Sequence, residues 1–118
     1  MAPYERFDAW QYCHQLALCI YRLTAAFPPS ERYGLTSQAR RAAFSAAGNI
    51  AEGSAKRGRR EFRRFLDISV GSLAELSYII RLAIDLGMIP PDQRDHIQQL
   101  HADASRTTWG LYRSMTTS

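Results

Sequence analysis

Apolar residues recur along almost the whole chain at steps of three and four, and no stretch alternates at steps of two. That periodicity restricts the chain to helices that each bury one face, because strands would need a period of two. Phe7, Trp10, Cys13, Leu16, Ile20, Leu23 and Phe27 trace the first such face, and Tyr12, Cys19 and Ala26 widen it. A helix from about Tyr4 to Phe27 is predicted. It is stopped by PPSERYG, where two prolines remove donors and disfavour helix in the residue before them.

Three further helices follow from the same reading. TSQARRAAFSAAGNIAEGSA opens with Thr36 or Ser37 as the expected N-cap and is crowded with small residues. Gly48 and Gly53 each cost about 1 kcal/mol inside a helix, which close approach of another backbone would explain. Phe44 and Ile50 are expected to supply the larger apolar contacts. Gly58 then breaks the chain.

The third helix is predicted from about Arg60 to Leu86, with Phe62, Phe65, Leu66, Ser69, Leu73, Leu76, Ile80 and Ala83 on one stripe. Gly71 and Ser72 read as a tight crossing point. Gly87 reads as a C-terminal cap ahead of Pro90 and Pro91. The fourth helix starts near Pro91 or Asp92 and runs to about Met115, with Ile97, Leu100, Ala104, Thr107, Leu111 and Met115 as a thinner stripe.

Helices of this length joined by short turns specify an all-α fold, an antiparallel up-and-down four-helix bundle, over residues 1–118 as a single domain. The first and third helices carry more apolar surface than a lone bundle needs, which points to self-association. The longest uninterrupted apolar run, LALCIY, falls far short of the roughly 18 residues a membrane span requires. The opening MAPYERFDAW lacks the layout of a secretory signal, so a cytoplasmic location without a membrane partner is expected. Cys13 and Cys19 are six residues apart, roughly 120° around a helix, too divergent to bridge. They read as small apolar residues kept reduced.

Charge is the chain's most specific chemical feature. Residues 52 to 64 hold six basic side chains, Lys56, Arg57, Arg59, Arg60, Arg63 and Arg64, against Glu52 and Glu61. The rest of the chain has nine of each sign, so the excess is one patch on a neutral background. Lys56 and Arg57 complement the dipole at the end of the second helix, but Arg59 and Arg60 open the third, where the dipole is already positive. Helix N-terminal amides beside arginines form a natural phosphate site. A membrane surface fits less well, because Phe62 and Phe65 belong to the buried stripe.

Other chemistries find little support. His96 and His101 are five residues apart and do not share a helix face, and Asp92 with His96 supplies two ligands, too few for a metal site. There is no nucleophile elbow and no phosphate-binding glycine loop, and neither cysteine has an obvious basic partner. The expectation is a non-enzymatic protein without metal or cofactor. Nucleic acid would be met through its backbone, since zinc-finger spacing and the helix-turn-helix pattern are absent and aromatics do not interleave with the basic turn. With three to five phosphates contacted, log K against log[salt] would slope roughly −3 to −4.5 on duplex DNA.

The run FPPSERYGLTSQARRAAFSAAGNIAEGSAKRGRREFRRFLDISVGSLAEL, residues 27 to 76, resembles a family of four-helix-bundle proteins encoded in intervening sequences of bacterial 23S ribosomal RNA genes. That family includes accessory proteins of diversity-generating retroelements. The resemblance rests on the FP-x-x-E-x-x-GL-x-x-Q-x-RRA start, the N-I-A-E-G block, and F-x-R-F-L followed by GS-x-x-E-L. It implies a homopentameric ring and, in the retroelement branch, a basic surface meeting nucleic acid and a reverse transcriptase. Gln38, Arg40, Arg41, Asn49 and Glu52 are the polar motif positions it carries over, suited to contact between helices or subunits, with Gly53 beside them. Arg60, Arg63 and Arg64 match the basic start of the third helix. Where the family often has valine–serine–isoleucine–proline, this chain has Phe44, Ser45, Ala46 and Ala47. The missing proline removes a source of kinking in the second helix.

The sequence thus predicts a homo-oligomeric bundle that binds RNA or DNA backbone through the turn around Gly58. The alternative is an oligomeric scaffold or adaptor, whose basic turn serves solubility or subunit contacts.

Overall fold

The first apolar stripe does not begin as one helix. Pro3–Arg6 form a 3₁₀ turn, Phe7 adopts extended backbone, and helix α1 spans Asp8–Thr24. The predicted start at Tyr4 is therefore corrected. Asp8 places a negative charge in the first turn of α1, where the dipole favours it. Phe7, freed from the helix, packs edge-on against Phe62 at 5.5 Å. The computed structural model describes residues 1–116, and α1 is followed in it by α2 (Leu35–Ser54), α3 (Arg59–Asp85) and α4 (Pro91–Ser114), with no strand among those residues.

Helix ends follow local chemistry, in one case not the chemistry expected. The N-cap of α2 is Gly34, and Thr36 and Ser37 lie inside the first turn. The Leu35 N–H donates to Glu31 Oε1 at 2.9 Å, so a carboxylate from the preceding 3₁₀ turn, Pro29–Glu31, replaces the hydroxyl cap. That carboxylate reaches within 2.8 Å of where a Gly34 side chain would begin. At the end of α3 the expected glycine cap is present. Gly87 has φ +73°, its N–H donates to the Ile84 carbonyl at 3.0 Å, and the Met88 N–H donates to the Ala83 carbonyl at 2.9 Å.

Each helix packs on its sequence neighbours, and α1 closes the ring against α4. Contacts across the pairs run in opposite senses along the chain. Arg41 meets Glu75, Ser45 meets Ser72, and Gly53 meets Phe62 and Phe65. Cys13 meets Thr108 on α4, while the His101 imidazole Nε2 lies 2.7 Å from the Leu73 carbonyl oxygen on α3. The arrangement is an antiparallel four-helix bundle, elongated to 46 × 26 × 25 Å. Among the described residues no helix is long and apolar enough to cross a membrane.

All eight residues of the predicted α3 stripe are buried. Thr108, not Thr107, is the fully buried threonine of α4; Thr107 instead bonds its own helix at Asp103. Phe44 is 69% exposed and leaves the core of α2 to Ile50 and four alanines. Gly53 has the tight neighbour expected of it, but Gly48 would meet only the Phe44 ring of its own helix, and Gly71 would meet nothing. The close crossing lies beside Gly71, where Ser69 Oγ donates to the Ala46 carbonyl at 2.8 Å and Ser72 Oγ to Ser45 Oγ at 2.7 Å. Without the proline, α2 runs unbroken through Ala46 and Ala47.

Candidate nucleic-acid interface

Two glycines shape the basic turn. A Cβ at Gly53 would sit 2.8 Å from Phe65 Cβ and 2.9 Å from Phe62 Cδ1, so only glycine lets α2 end against the start of α3. Gly58, at φ +86° and ψ 158°, then reverses the chain in a region that only glycine occupies readily. Being glycine, Gly58 supplies no side chain to cap α3. The first-turn amides of α3 are therefore left to outside acceptors.

The six cations around this turn divide by environment. Arg57, Arg59 and Arg60 are exposed and form no ion pair among the described residues. Lys56 is exposed too, its Nζ 5.3 Å from the centre of the Phe65 ring. Arg64 is committed to Glu61, with Nε 3.2 Å from a carboxylate oxygen, and also lies over Phe65. The Arg64 hydrogen bond and charge, with Lys56 and Arg60 adding, hold Glu61 below the usual carboxylate range. Arg63 is different again. Its guanidinium lies 4.3 Å from the centre of the Tyr112 ring on α4, and its Nε is buried without a hydrogen-bond partner among the described residues.

Arg60, Arg63 and Arg64 line an open hollow of about 540 Å³ between α3 and α4, shared with Glu61, Asp67 and Tyr112. Sequence spacing did not reveal the aromatic side of this hollow. Tyr112 stacks on Trp109 at 5.3 Å with 17° between the rings, and Arg113 lies 5.8 Å over Trp109. The signal was present as an i, i+3 aromatic pair flanked by Arg106 and Arg113, but nothing local ties it to Arg63, some fifty positions earlier.

The motif residues of α2 fall outside this cluster. Arg41 bonds Gln38 on its own helix and reaches Glu75 on α3 at 3.5 Å. Arg40 Nε donates to Thr24 Oγ1 at 2.9 Å, a second guanidinium nitrogen donates to the Tyr21 carbonyl at 3.3 Å, and the guanidinium covers the Tyr21 ring. Asn49 donates back to the Ser45 carbonyl and hydroxyl. Glu52 is exposed and forms no ion pair among the described residues. Gln38, Arg40 and Arg41 stand about 20 Å along α2 from the basic turn. The structure thus separates a cationic end from a set of contacts that join α2 to α1 and α3.

Two other features bear on function. An apolar hollow of about 440 Å³ opens between α1 and α2, lined by Trp10, Leu18, Tyr21, Phe44, Ala47 and Gly48 among others. Cys13 is buried, and that burial pushes its thiol up to about 11, which keeps it protonated and unreactive near neutral pH. No group of three or more potential metal-ligating side chains gathers among the described residues.

The sequence profile of the family described as 23S rRNA-intervening sequence protein matches residues 5–110. Among solved structures, the chain is similar to a protein of unknown function from the S23 ribosomal protein family of Bacteroides thetaiotaomicron. That match has a TM-score of 0.75 and 21% identity, covering 92% of this chain and 99% of the other. At that identity the likeness shows the fold alone. No curated protein matches the sequence.

Proposed function

The chain belongs to the 23S rRNA-intervening sequence protein family, and from that premise we propose that it is a non-enzymatic, homo-oligomeric bundle that binds nucleic-acid backbone through the turn between α2 and α3. The observation that carries this reading is the set of exposed cations Arg57, Arg59 and Arg60 without ion-pair partners among the described residues, beside an N-terminus of α3 with no side-chain cap hydrogen bond. Arginines chosen only to balance local charge would be expected to meet carboxylates, as Arg64 does with Glu61. Instead Arg59 and Arg60 sit where the dipole of α3 already repels them, an arrangement that an anionic ligand offsets. Arginine also suits phosphate, because its planar fork donates two parallel hydrogen bonds.

Self-association draws support from a separate surface. Leu18, Tyr21 and Phe44 are exposed around the apolar hollow between α1 and α2, away from the basic turn. A second copy burying that surface would remove apolar area from water while leaving the cations open. The family resemblance implies five copies. Repeating one cationic turn around a ring raises affinity for a polymer without any new contact.

The test is the triple variant Arg57→Gln/Arg59→Gln/Arg60→Gln, which spares Arg63 and Arg64 because those pack on aromatic rings. Binding of labelled RNA and DNA at low salt is compared with wild type after light scattering has fixed the mass of both. An affinity at least about tenfold weaker at unchanged mass is expected, given the worth of charge-assisted hydrogen bonds. Unchanged affinity at unchanged mass would favour the adaptor reading. Dissociation of the oligomer would assign the arginines to subunit contacts.

A further inference from the structure

The hollow beside the basic turn has an aromatic wall as well as a cationic one, and each wall comes from a different helix. Arg60, Arg63 and Arg64 line it from α3 and Tyr112 from α4, while Trp109 is stacked on Tyr112 beyond the hollow and Arg113 lies over Trp109. Contacts pass from the Arg63 guanidinium to Tyr112, from Tyr112 to Trp109 in a near-parallel stack, and from Trp109 to Arg113. Flat cations and flat rings are thus laid against one another in sequence. Trp109 remains 45% exposed, so a good part of the indole is available to a ligand. A second hollow, lined by Val70, Ala74, His101 and Ser105, borders Trp109 on its other side.

We propose that the nucleic acid recognised here is single-stranded, with an unpaired base stacking on the exposed indole of Trp109, which Tyr112 backs, while its phosphates follow Arg60, Arg63 and Arg64. This rests on the reading of the basic turn given above and extends it to the class of ligand. A duplex presents phosphates and keeps its base faces hidden, so it would leave the aromatic wall unused. An unpaired base offers a π-face to a ring or a guanidinium plane, and the stack supplies both kinds of surface. Arg113 is exposed at the last turn of α4 and can move aside or cover the base from above. Arg63 is half-buried, its Nε turned inside and its guanidinium held over Tyr112, so it joins the cationic wall to the rings. Glu61 and Asp67 line the same hollow. Glu61 is ion-paired with Arg64, and Asp67 would repel a phosphate placed beside it.

The test separates base from backbone. An oligouridylate of about ten nucleotides and an abasic phosphodiester of the same length, within the usual site size of a single-strand binder, are titrated against the full chain at low salt. Ribose and deoxyribose versions of both ligands run in parallel. Base dependence in either version supports the proposal, and the tighter version identifies the polymer. Wild type should prefer the base-bearing ligand by roughly tenfold to a hundredfold, the worth of one to two stacked bases. Trp109→Ala should abolish that preference and leave abasic binding unchanged, while Trp109→Phe should keep most of it.

Equal affinity of wild type for the two ligands overturns the proposal and leaves the basic turn as a backbone reader. A Trp109→Ala variant that weakens both ligands equally, or that changes the mass of the assembly, also overturns it by assigning the tryptophan to packing or subunit contact. Failure of both ligands to bind at low salt would overturn this proposal and the reading beneath it together.

Discussion

At the scale of single residues, the mid-helix glycines separate sharply by what surrounds them. Gly53 is held against Phe62 and Phe65, whereas Gly48 and Gly71 have no such neighbour. Gly53→Ala should therefore destabilise the protein by about 1–3 kcal/mol through overpacking. Gly71→Ala should stabilise it by about 0.5–1 kcal/mol, because a helix interior favours alanine. Urea denaturation of the two variants, read against wild type, checks both signs. Spacing alone ranks all three glycines alike, since a small residue on a helix reads as a close contact whether or not a partner helix lies there. For the same reason Phe44 reads as core. It stands six residues from Ile50, about 120° around the helix, so it points away from the buried side that Ile50 marks and lines the hollow against α1.

At the scale of elements, the helices were legible and their junctions less so. The α3 stripe could be read because a central, 27-residue helix must repeat its apolar spacing many times, and each repeat confirms the register. The start of α2 could not, because its cap is the Glu31 side chain acting from the preceding turn, and a hydroxyl at Thr36 or Ser37 is the commoner solution. Arg40 shows how one side chain fixes a helix pair. It reaches the last turn of α1, donating to Thr24 Oγ1 and to the Tyr21 carbonyl, where a cation also complements the helix dipole. Arg40→Ala should cost about 1–2 kcal/mol, with little change in helix content by circular dichroism. Arg40→Lys should recover only part of it, since an ammonium cannot reproduce the planar fork over Tyr21. A loss below about 0.3 kcal/mol in Arg40→Ala would mean that α1 and α2 hold together by apolar burial alone.

At the scale of the whole molecule, the bundle keeps its chemistry at one end and its spare apolar surface along one side. The cationic half of the candidate site could be read from the sequence because its six cations fall within the nine positions from Lys56 to Arg64 and break an otherwise neutral chain. The aromatic half could not, because Tyr112, with Trp109 stacked on it, reaches Arg63 only after α4 has folded back antiparallel along α3. Phosphates bound on this turn would displace counterions, so the salt dependence of binding reads their presence. With three to five phosphates on a single strand, log K against log[salt] should slope about −2 to −3.5, and the slope should flatten by about 1.4 in Arg59→Gln/Arg60→Gln. A slope near zero, or one that the double variant leaves unchanged, would contradict phosphate binding at the turn.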